Sequence, residues 1–164
     1  MNKNTAIAAK IANTTDITVH PKYDGTPFAS LADSSVNTKG KVIEAIAWNI
    51  LESDGHDIFE ADNAQHDMRV RFANENHRTK VEVKGCMLKR DSYTMSTGQF
   101  QLAADFDELL IVMVFPDEVK GYRVNRSVLR GMDKNGVLNN SKGAKMIGNI
   151  SDTLLESYDC PRVF

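Results

Sequence analysis

The sequence feature that most constrains the fold is an uninterrupted run of seven apolar residues, Leu109–Phe115. Seven residues are far fewer than the roughly 20 that a membrane span requires. A short apolar run that ends at a proline, here Pro116, is typical of a strand buried on both faces. The run therefore predicts the fully buried central strand of a β-sheet.

The apolar periodicity of the preceding residues predicts the elements that surround this strand. Apolar side chains recur at helical spacing over residues 38–53, and Gly55 follows as a stop signal. The next candidates are three short strands, at residues 57–60, 67–72 and 80–84, of which the last two alternate charged and apolar residues.

Turn and capping residues predict the remaining organisation. A hairpin turn is expected at Asn74–Asn76, and Gly85 is expected to end the third strand. Further elements are expected as a helix at 98–104, a strand at 122–124 and a helix at 151–158. This order predicts an α/β protein with a mixed central β-sheet flanked by helices.

Length and cysteine content limit the class of protein. A chain of 164 residues favours a single domain with one core. The first residues lead into no continuous apolar segment, so no secretory signal is expected. Only two cysteines are present, Cys86 and Cys160, and they cannot form a framework of several disulfides. We therefore expect no membrane association and a location in the cytoplasm.

Charge is unevenly distributed, although the formal net charge is only −2. Residues 44–75 contain eight acidic residues against two arginines, whereas residues 119–149 contain seven basic residues against one aspartate. Catalytic or metal-binding carboxylates in the first segment and a phosphate-contacting surface in the second would produce this asymmetry. Two solvated faces would produce it as well, and charge alone does not separate the two interpretations.

Four charged residues are candidates for chemistry. Glu82 and Lys84 are two residues apart in a predicted strand, so their side chains leave the same face of the sheet. A hairpin would bring Asp67, at the start of the preceding strand, alongside Glu82. Glu44 lies at the margin of the apolar stripe of the predicted helix, where a half-buried carboxylate requires a compensating cation.

This pattern resembles the PD-(D/E)XK nuclease superfamily, which has the restriction-endonuclease-like fold. The resemblance consists of Asp67, fourteen intervening residues and then Glu82-Val83-Lys84, with Glu44 upstream on a helix. The order of elements between residues 38 and 116 also resembles the core of that family. One departure is His66, which precedes Asp67 where the family has proline and is interpreted as an exposed residue at a strand end.

The resemblance implies a role for each matching residue. Asp67 and Glu82 would bind Mg²⁺, for which Mn²⁺ is expected to substitute, together with the backbone carbonyl of Val83. Lys84 would orient the attacking water or stabilise the charge on the phosphate, and Glu44 would hold a metal-bound water or a second ion. Gln101, at the start of the helix expected at 98–104, is similar to a glutamine that family members place near the scissile phosphate; Gln99 is the weaker match.

Cationic and aromatic residues outside this group are the candidate DNA contacts. They lie in the loop after the third strand and in the basic segment: Lys89, Arg90, Tyr93, Arg123, Arg126, Arg130, Lys142 and Lys145. Residues 38–116 are expected to form the nuclease core. Residues 1–37 and 117–164 are expected to serve dimerisation or DNA contact.

Together these features predict a Mg²⁺-dependent DNA endonuclease, foremost a small sequence-specific enzyme of the restriction type. Cutting both strands of a duplex needs two active sites and the chain offers one, so a homodimer is expected. A structure-specific nuclease such as a Holliday-junction resolvase, or a phage, homing or repair endonuclease, is the alternative. A non-catalytic nucleic-acid-binding module on the same scaffold is the rival from another class.

Overall fold

A computed structural model describes residues 19–164. Residues 1–18 lie outside the described part, and with them the expectations about the start of the chain. In chain order the elements are α1 Ala29–Asp33, α2 Val36–Ser53, β1 Asp57–Glu60, β2 Met68–Arg71, β3 Thr79–Met87, β4 Glu108–Val114, β5 Val119–Asn125, α3 Arg126–Lys134, β6 Leu138–Ser141, β7 Ala144–Ile147 and α4 Asp152–Ser157.

Five strands form the main sheet in the order β1-β2-β3-β4-β5. All neighbours are antiparallel except β3 and β4, which run parallel with Glu82 opposite Leu109. The predicted central strand is confirmed as β4, whose residues from Leu109 to Val114 are at most 1% exposed. The strands expected at 57–60, 67–72, 80–84 and 122–124 are also present in β1, β2, β3 and β5.

Separate apolar layers cover the two faces of this sheet, because successive side chains of β4 point to opposite sides. Leu110 and Val112 pack with α2 on one face. Leu109 and Ile111 pack on the other face with residues of α3, α4 and the β6–β7 hairpin. The predicted fold class, a mixed β-sheet flanked by helices, is therefore confirmed.

Side-chain caps fix where the longer helices begin. Ser35 accepts a hydrogen bond from the Thr38 amide at the start of α2, and Asn125 accepts one from the Val128 amide at the start of α3. The helix expected at 151–158 is present as α4. No helix within residues 19–164 is long and apolar enough to cross a membrane.

Gly85 does not end the third strand, contrary to the sequence prediction, because β3 continues to Met87. A Cβ atom added at Gly85 would lie 2.2 Å from Ile43 Cδ1. Helix α2 therefore contacts the sheet backbone at this position, and a glycine inside the strand permits that approach.

The predicted helix at 98–104 is wrong as well. Residues 88–107, which connect the parallel strands β3 and β4, contain no helix. Phe100 exchanges both of its backbone hydrogen bonds with Lys145 of β7, at 2.9 and 2.8 Å, and the Thr97 amide donates to the Ile147 carbonyl. These bonds hold residues 97–100 in extended pairing with β7, which excludes a helix there.

Candidate active site

Strand β3 presents charged side chains on one face and apolar ones on the other. Val81 and Val83 are buried under α2, whereas Glu82 and Lys84 alternate with them on the opposite face. Lys84 Nζ lies 2.7 Å from Glu82 Oε1, and the two side chains are only 21% and 17% exposed. The predicted pair is therefore in contact and half-buried.

Asp67 lies directly before β2 and extends its pairing with β3. Its amide donates to the carbonyl of Val81 at 3.0 Å, although Val81 is already paired with Met68. Two successive residues therefore face Val81, as in a β-bulge, and the regular register ends at Met68. Asp67 Oδ2 accepts a hydrogen bond from the Val83 amide at 2.7 Å. The carboxylate thus accepts the hydrogen bond that a backbone carbonyl of the neighbouring strand would accept if β2 extended further.

Glu44 on α2 joins this group through space. It lines one groove with Asp67 and a neighbouring groove with Lys84. Burial raises the pKa of Glu44, and the negative charge of Asp67 raises it further, while Lys84 lowers it. The carboxylates of two separate elements therefore repel each other at this site.

The pKa of Glu82 on β3 is raised by the same two causes, burial and the charge of Asp67. Burial raises its pKa most, and Asp67 adds to the increase, although the hydrogen bond from Lys84 opposes both. Lys84 thus lowers the pKa of both carboxylates, and Lys41 also lowers that of Glu44. A bound cation would relieve the remaining repulsion.

The carboxylates do not form a closed metal cage. Within residues 19–164 no three His, Cys, Asp or Glu side chains form a group that could hold a metal ion, so the expected set of Glu44, Asp67 and Glu82 is not assembled as one cluster. One oxygen of Asp67 accepts from the Val83 amide, and one of Glu82 contacts Lys84. The remaining donors are all oxygens, which fits Mg²⁺, an ion that usually keeps several waters and binds one or two carboxylates.

Two glutamines border the site from the 88–107 connection. Gln101 lines a groove of about 600 Å³ together with Glu82, as does Gln99. Gln99 also lines the groove beside Lys84 and donates to Ser141 Oγ at 3.0 Å. Gln99, the weaker sequence match, therefore borders both Glu82 and Lys84, whereas Gln101 borders only Glu82. The two glutamines flank the buried Phe100, which pairs with β7 in extended conformation. This alternation was missed from the sequence because a helix was expected at 98–104.

His66 is not an exposed strand-end residue, contrary to the interpretation of its sequence context. It is 4% exposed, with Nδ1 at 3.1 Å from the Asp105 carbonyl oxygen and Nε2 at 3.3 Å from Asp62 Oδ1. Its proximity lowers the pKa of Glu82. The contact with Asp62 could have been anticipated from the sequence, because Asp62 precedes His66 by only four residues.

Three of the candidate DNA contacts have internal partners instead. Arg123 donates two hydrogen bonds to Glu108 and one to Glu75, and its guanidinium lies 3.5 Å from the centre of the Phe72 ring. Arg126 donates to the backbone carbonyls of 104 and 106, and Lys145 pairs with Asp133 at 2.7 Å. Their charges are thus paired within the protein, and their contact with DNA stays a prediction.

The other candidate DNA contacts lie on the surface. Lys89, Arg90, Arg130 and Lys142 are exposed, and Tyr93 is 86% exposed with Lys22 Nζ 4.9 Å above its ring. Arg90 donates to the Val19 carbonyl at 2.9 Å. DNA contact by these residues stays a prediction.

Comparison with solved structures identifies a relative of this architecture. The structure of the bacterial homing endonuclease I-Ssp6803I is similar over 72% of this chain and 80% of that chain, with a TM-score of 0.50 and 13% sequence identity. The chain shares the fold of that endonuclease. At this identity the likeness establishes the fold alone. No protein-family model matches the sequence, and no curated protein matches it.

Proposed function

We propose that the protein is a Mg²⁺-dependent DNA endonuclease of the PD-(D/E)XK type. The observation that carries this proposal is that Asp67 is hydrogen-bonded to Val81 and Val83, the two neighbours of Glu82 in β3, while Lys84 lies 2.7 Å from Glu82. The likeness in fold to a homing endonuclease supports it. Residues 1–164 then form one nuclease domain.

The reaction adds water across one phosphodiester bond. The water oxygen bonds to phosphorus, one bond from phosphorus to a sugar oxygen breaks, and that oxygen takes up a proton. When bound at Asp67 and Glu82, with the Val83 carbonyl as a further ligand and Glu44 beside them, Mg²⁺ or Mn²⁺ would neutralise phosphate charge and lower the pKa of water. Lys84 orients the attacking water and stabilises negative charge on the phosphate.

Double-strand cleavage requires a second copy of the site. We propose a homodimer in which each protomer cuts one strand, with recognition of a specific duplex sequence as in restriction enzymes. A homing-type nuclease is the second candidate, and the similar fold of a homing endonuclease favours it. The length of the recognised sequence, measured by selection from a random duplex library, separates the two, because homing-type recognition extends over a longer site. A four-way junction as substrate tests for a resolvase.

The deciding experiment compares Asp67→Asn and Glu82→Gln with Asp57→Asn, a control on β1 whose exposed carboxylate pairs with Arg71. We expect the first two variants to lose Mg²⁺-dependent plasmid cleavage by at least about 100-fold. The control should cut like the parent protein. Circular dichroism checks that all three variants fold.

Metal binding provides a readout that is independent of cleavage. At a concentration roughly tenfold above its Kd, MgCl₂ should raise the Tm of the parent by about 3–6 °C. Asp67→Asn and Glu82→Gln should lose this increase and Asp57→Asn should keep it. If the parent cuts neither duplex, junction nor single-stranded DNA with Mg²⁺ or Mn²⁺, the proposal fails and a non-catalytic DNA-binding module takes its place.

A further inference from the structure

We propose that the β6–β7 hairpin is the base-reading element of this protein and inserts into the major groove of duplex DNA beside the cleaved phosphate. This inference rests on the proposed function and names the element that would determine its sequence specificity. It assigns the reading role to one face of the hairpin, here called the outer face, which comprises Asn139, Ser141, Ala144 and Met146.

The hairpin is a separate two-stranded ribbon that is firmly attached to the rest of the fold. It is not part of the five-stranded sheet. Leu138 and Ile147, which pair across its base, are buried in the core. The backbone bonds between Phe100 and Lys145 join one edge to the 88–107 connection. The ribbon is therefore held in a fixed position relative to the 88–107 connection, which follows β3.

Strand alternation divides the ribbon into two chemically different faces. The face that contains Leu138 and Ile147 also contains Asn140 and Lys145. At the base of the ribbon this face packs into the core, and Lys145 pairs with Asp133 of α3, whereas Asn140 nearer the tip is exposed. The outer face, opposite to it, carries an amide, a hydroxyl and two apolar side chains. Asn139 on this face is exposed.

The outer face adjoins the groove that contains Glu82. Ala144 lines that groove together with Glu82. Ser141, which pairs with Ala144 across the ribbon, accepts the hydrogen bond from Gln99. A duplex whose phosphate lies at Glu82 would thus place the bases of adjacent pairs over the outer face.

The chemistry of this face matches base edges in the major groove. An asparagine amide forms a bidentate pair with adenine, a serine hydroxyl bonds any base, and apolar side chains contact the thymine methyl group. The major groove, about 12 Å wide, admits a two-stranded β-ribbon. We therefore expect a preference for an A·T pair opposite Asn139.

Two local features support this use of the ribbon. The tip is a tight turn in which Lys142 and Gly143 both have positive φ, 49° and 81°, so the strands end in a narrow point with an exposed cation. At the other end, a Cβ added at Gly148 would lie 2.4 Å from Asn139 Nδ2. The glycine therefore leaves room for the amide of Asn139 against the backbone.

The flanks of the ribbon carry cations that suit phosphates. Arg130 and Lys134 of α3 and Lys142 at the tip are exposed, and within residues 19–164 none of the three has an acidic partner within ion-pair distance. Phosphate contacts of this kind position a protein on DNA without reading its sequence. The base-reading role thus falls to the outer face and the positioning role to its flanks.

The test compares Asn139→Ala with Asn140→Ala, a control of the same residue type on the other face of the same strand. Each variant and the parent select preferred sequences from a randomised duplex library, once by binding in EDTA and once by cleavage with MgCl₂. We expect Asn139→Ala to lose its preference at one or two base pairs at a fixed distance from the cut. Its affinity for the sequence preferred by the parent should fall by about 10- to 100-fold, and Asn140→Ala should select like the parent.

The two arms separate this inference from the proposed function. A parent that selects a sequence by binding but does not cut would refute the nuclease proposal, and the effect of Asn139→Ala would still support or overturn the reading role. Identical selected sequences for the parent and Asn139→Ala would overturn the inference. It would also be overturned if the parent bound duplex DNA without any preference or did not bind it.

Discussion

Two lysines on the same face of β3 each lie 2.7 Å from a carboxylate, yet their surroundings differ. Lys80 pairs with Asp105, and these side chains are 33% and 49% exposed. Lys84 pairs with Glu82 four residues further along the strand, where both groups are half-buried. The first pair is here called the outer pair and the second the inner pair.

The pKa values of the two carboxylates are shifted in opposite directions. The hydrogen bond from Lys80 lowers the pKa of Asp105, as expected for an exposed ion pair. Burial raises the pKa of Glu82 despite its bond to Lys84, and Asp67 raises it further. Distance to a lysine therefore does not by itself determine whether the pKa of a carboxylate is raised or lowered. Burial and a second carboxylate raise the pKa of Glu82 although its lysine is as close as that of Asp105. Sites that combine both are where perturbed groups with functions concentrate.

The largest expected effect separates the two lysines by activity. Lys84→Met should reduce Mg²⁺-dependent cleavage by about 10²- to 10⁴-fold, because in the proposed reaction the inner lysine orients the water and stabilises charge on the phosphate. Lys80→Met removes the same charge from the same face of the strand and should leave the rate within about twofold of the parent, since an exposed pair contributes little. Single-turnover plasmid cleavage measures both rates. Equal losses in the two variants would mean that the site depends on surface charge rather than on the inner pair.

A smaller effect should follow from disturbing the contact between α2 and β3. Gly85→Ala places a methyl group against Ile43, and overpacking of this kind costs about 1–3 kcal/mol of unfolding free energy. Because α2 carries Glu44, the variant should also slow cleavage while the outer pair is unaffected. Urea denaturation provides the measurement. The matched control is Gly131→Ala in α3, where nothing lies within 4 Å and about 0.5–1 kcal/mol of stabilisation is expected.

The smallest effect is a difference in pH dependence between the two carboxylates. The raised pKa of Glu82 means that its ionisation, as pH rises through that pKa, reduces the stability of the folded state. Glu82→Gln should therefore gain in Tm relative to the parent as pH rises. The lowered pKa of Asp105 has the opposite sign: its contribution is present above the pKa of the unfolded chain and is lost as pH falls through the folded pKa.

Thermal melts in EDTA from about pH 3 to about pH 8 give these differences for Glu82→Gln and Asp105→Asn. The two curves of ΔTm against pH should slope in opposite directions, each by no more than a few degrees because each reports a single ionisable group. Parallel slopes would contradict the assignment of different environments to the two pairs.

The fold was largely predictable because its signals are local. The seven-residue apolar run and the alternation in β2 and β3 identified strands that the structure contains. The two errors in this region arise from tertiary contacts. Gly85 is accommodated in β3 by the approach of α2, and residues 97–100 pair with a hairpin almost 50 positions further along the chain.

The site was predictable only in part, for a related reason. The spacing of Glu82 and Lys84 predicted that their side chains leave the same face of a strand, and they are in contact. A hairpin was expected to bring Asp67 alongside Glu82; in the structure Asp67 bonds the neighbouring residues Val81 and Val83. Segment charge did not reveal that Arg123 is used by Glu75 and Glu108, which lie far from it in sequence. Neither the burial of His66 nor the contacts of Gln99 follow from local pattern, since both depend on the path of the 88–107 connection.

The pairing of the parallel strands β3 and β4 joins two parts of the chain that carry different groups. Every member of the charged cluster precedes residue 88, whereas the glutamines and the ribbon follow the loop that bears the exposed Tyr93. A break in that loop would produce two fragments, one with the proposed catalytic groups and one with the proposed base-reading surface. Reassembly through this pairing would be required to recover cutting, so the architecture lends itself to a split enzyme controlled by fused dimerisation tags.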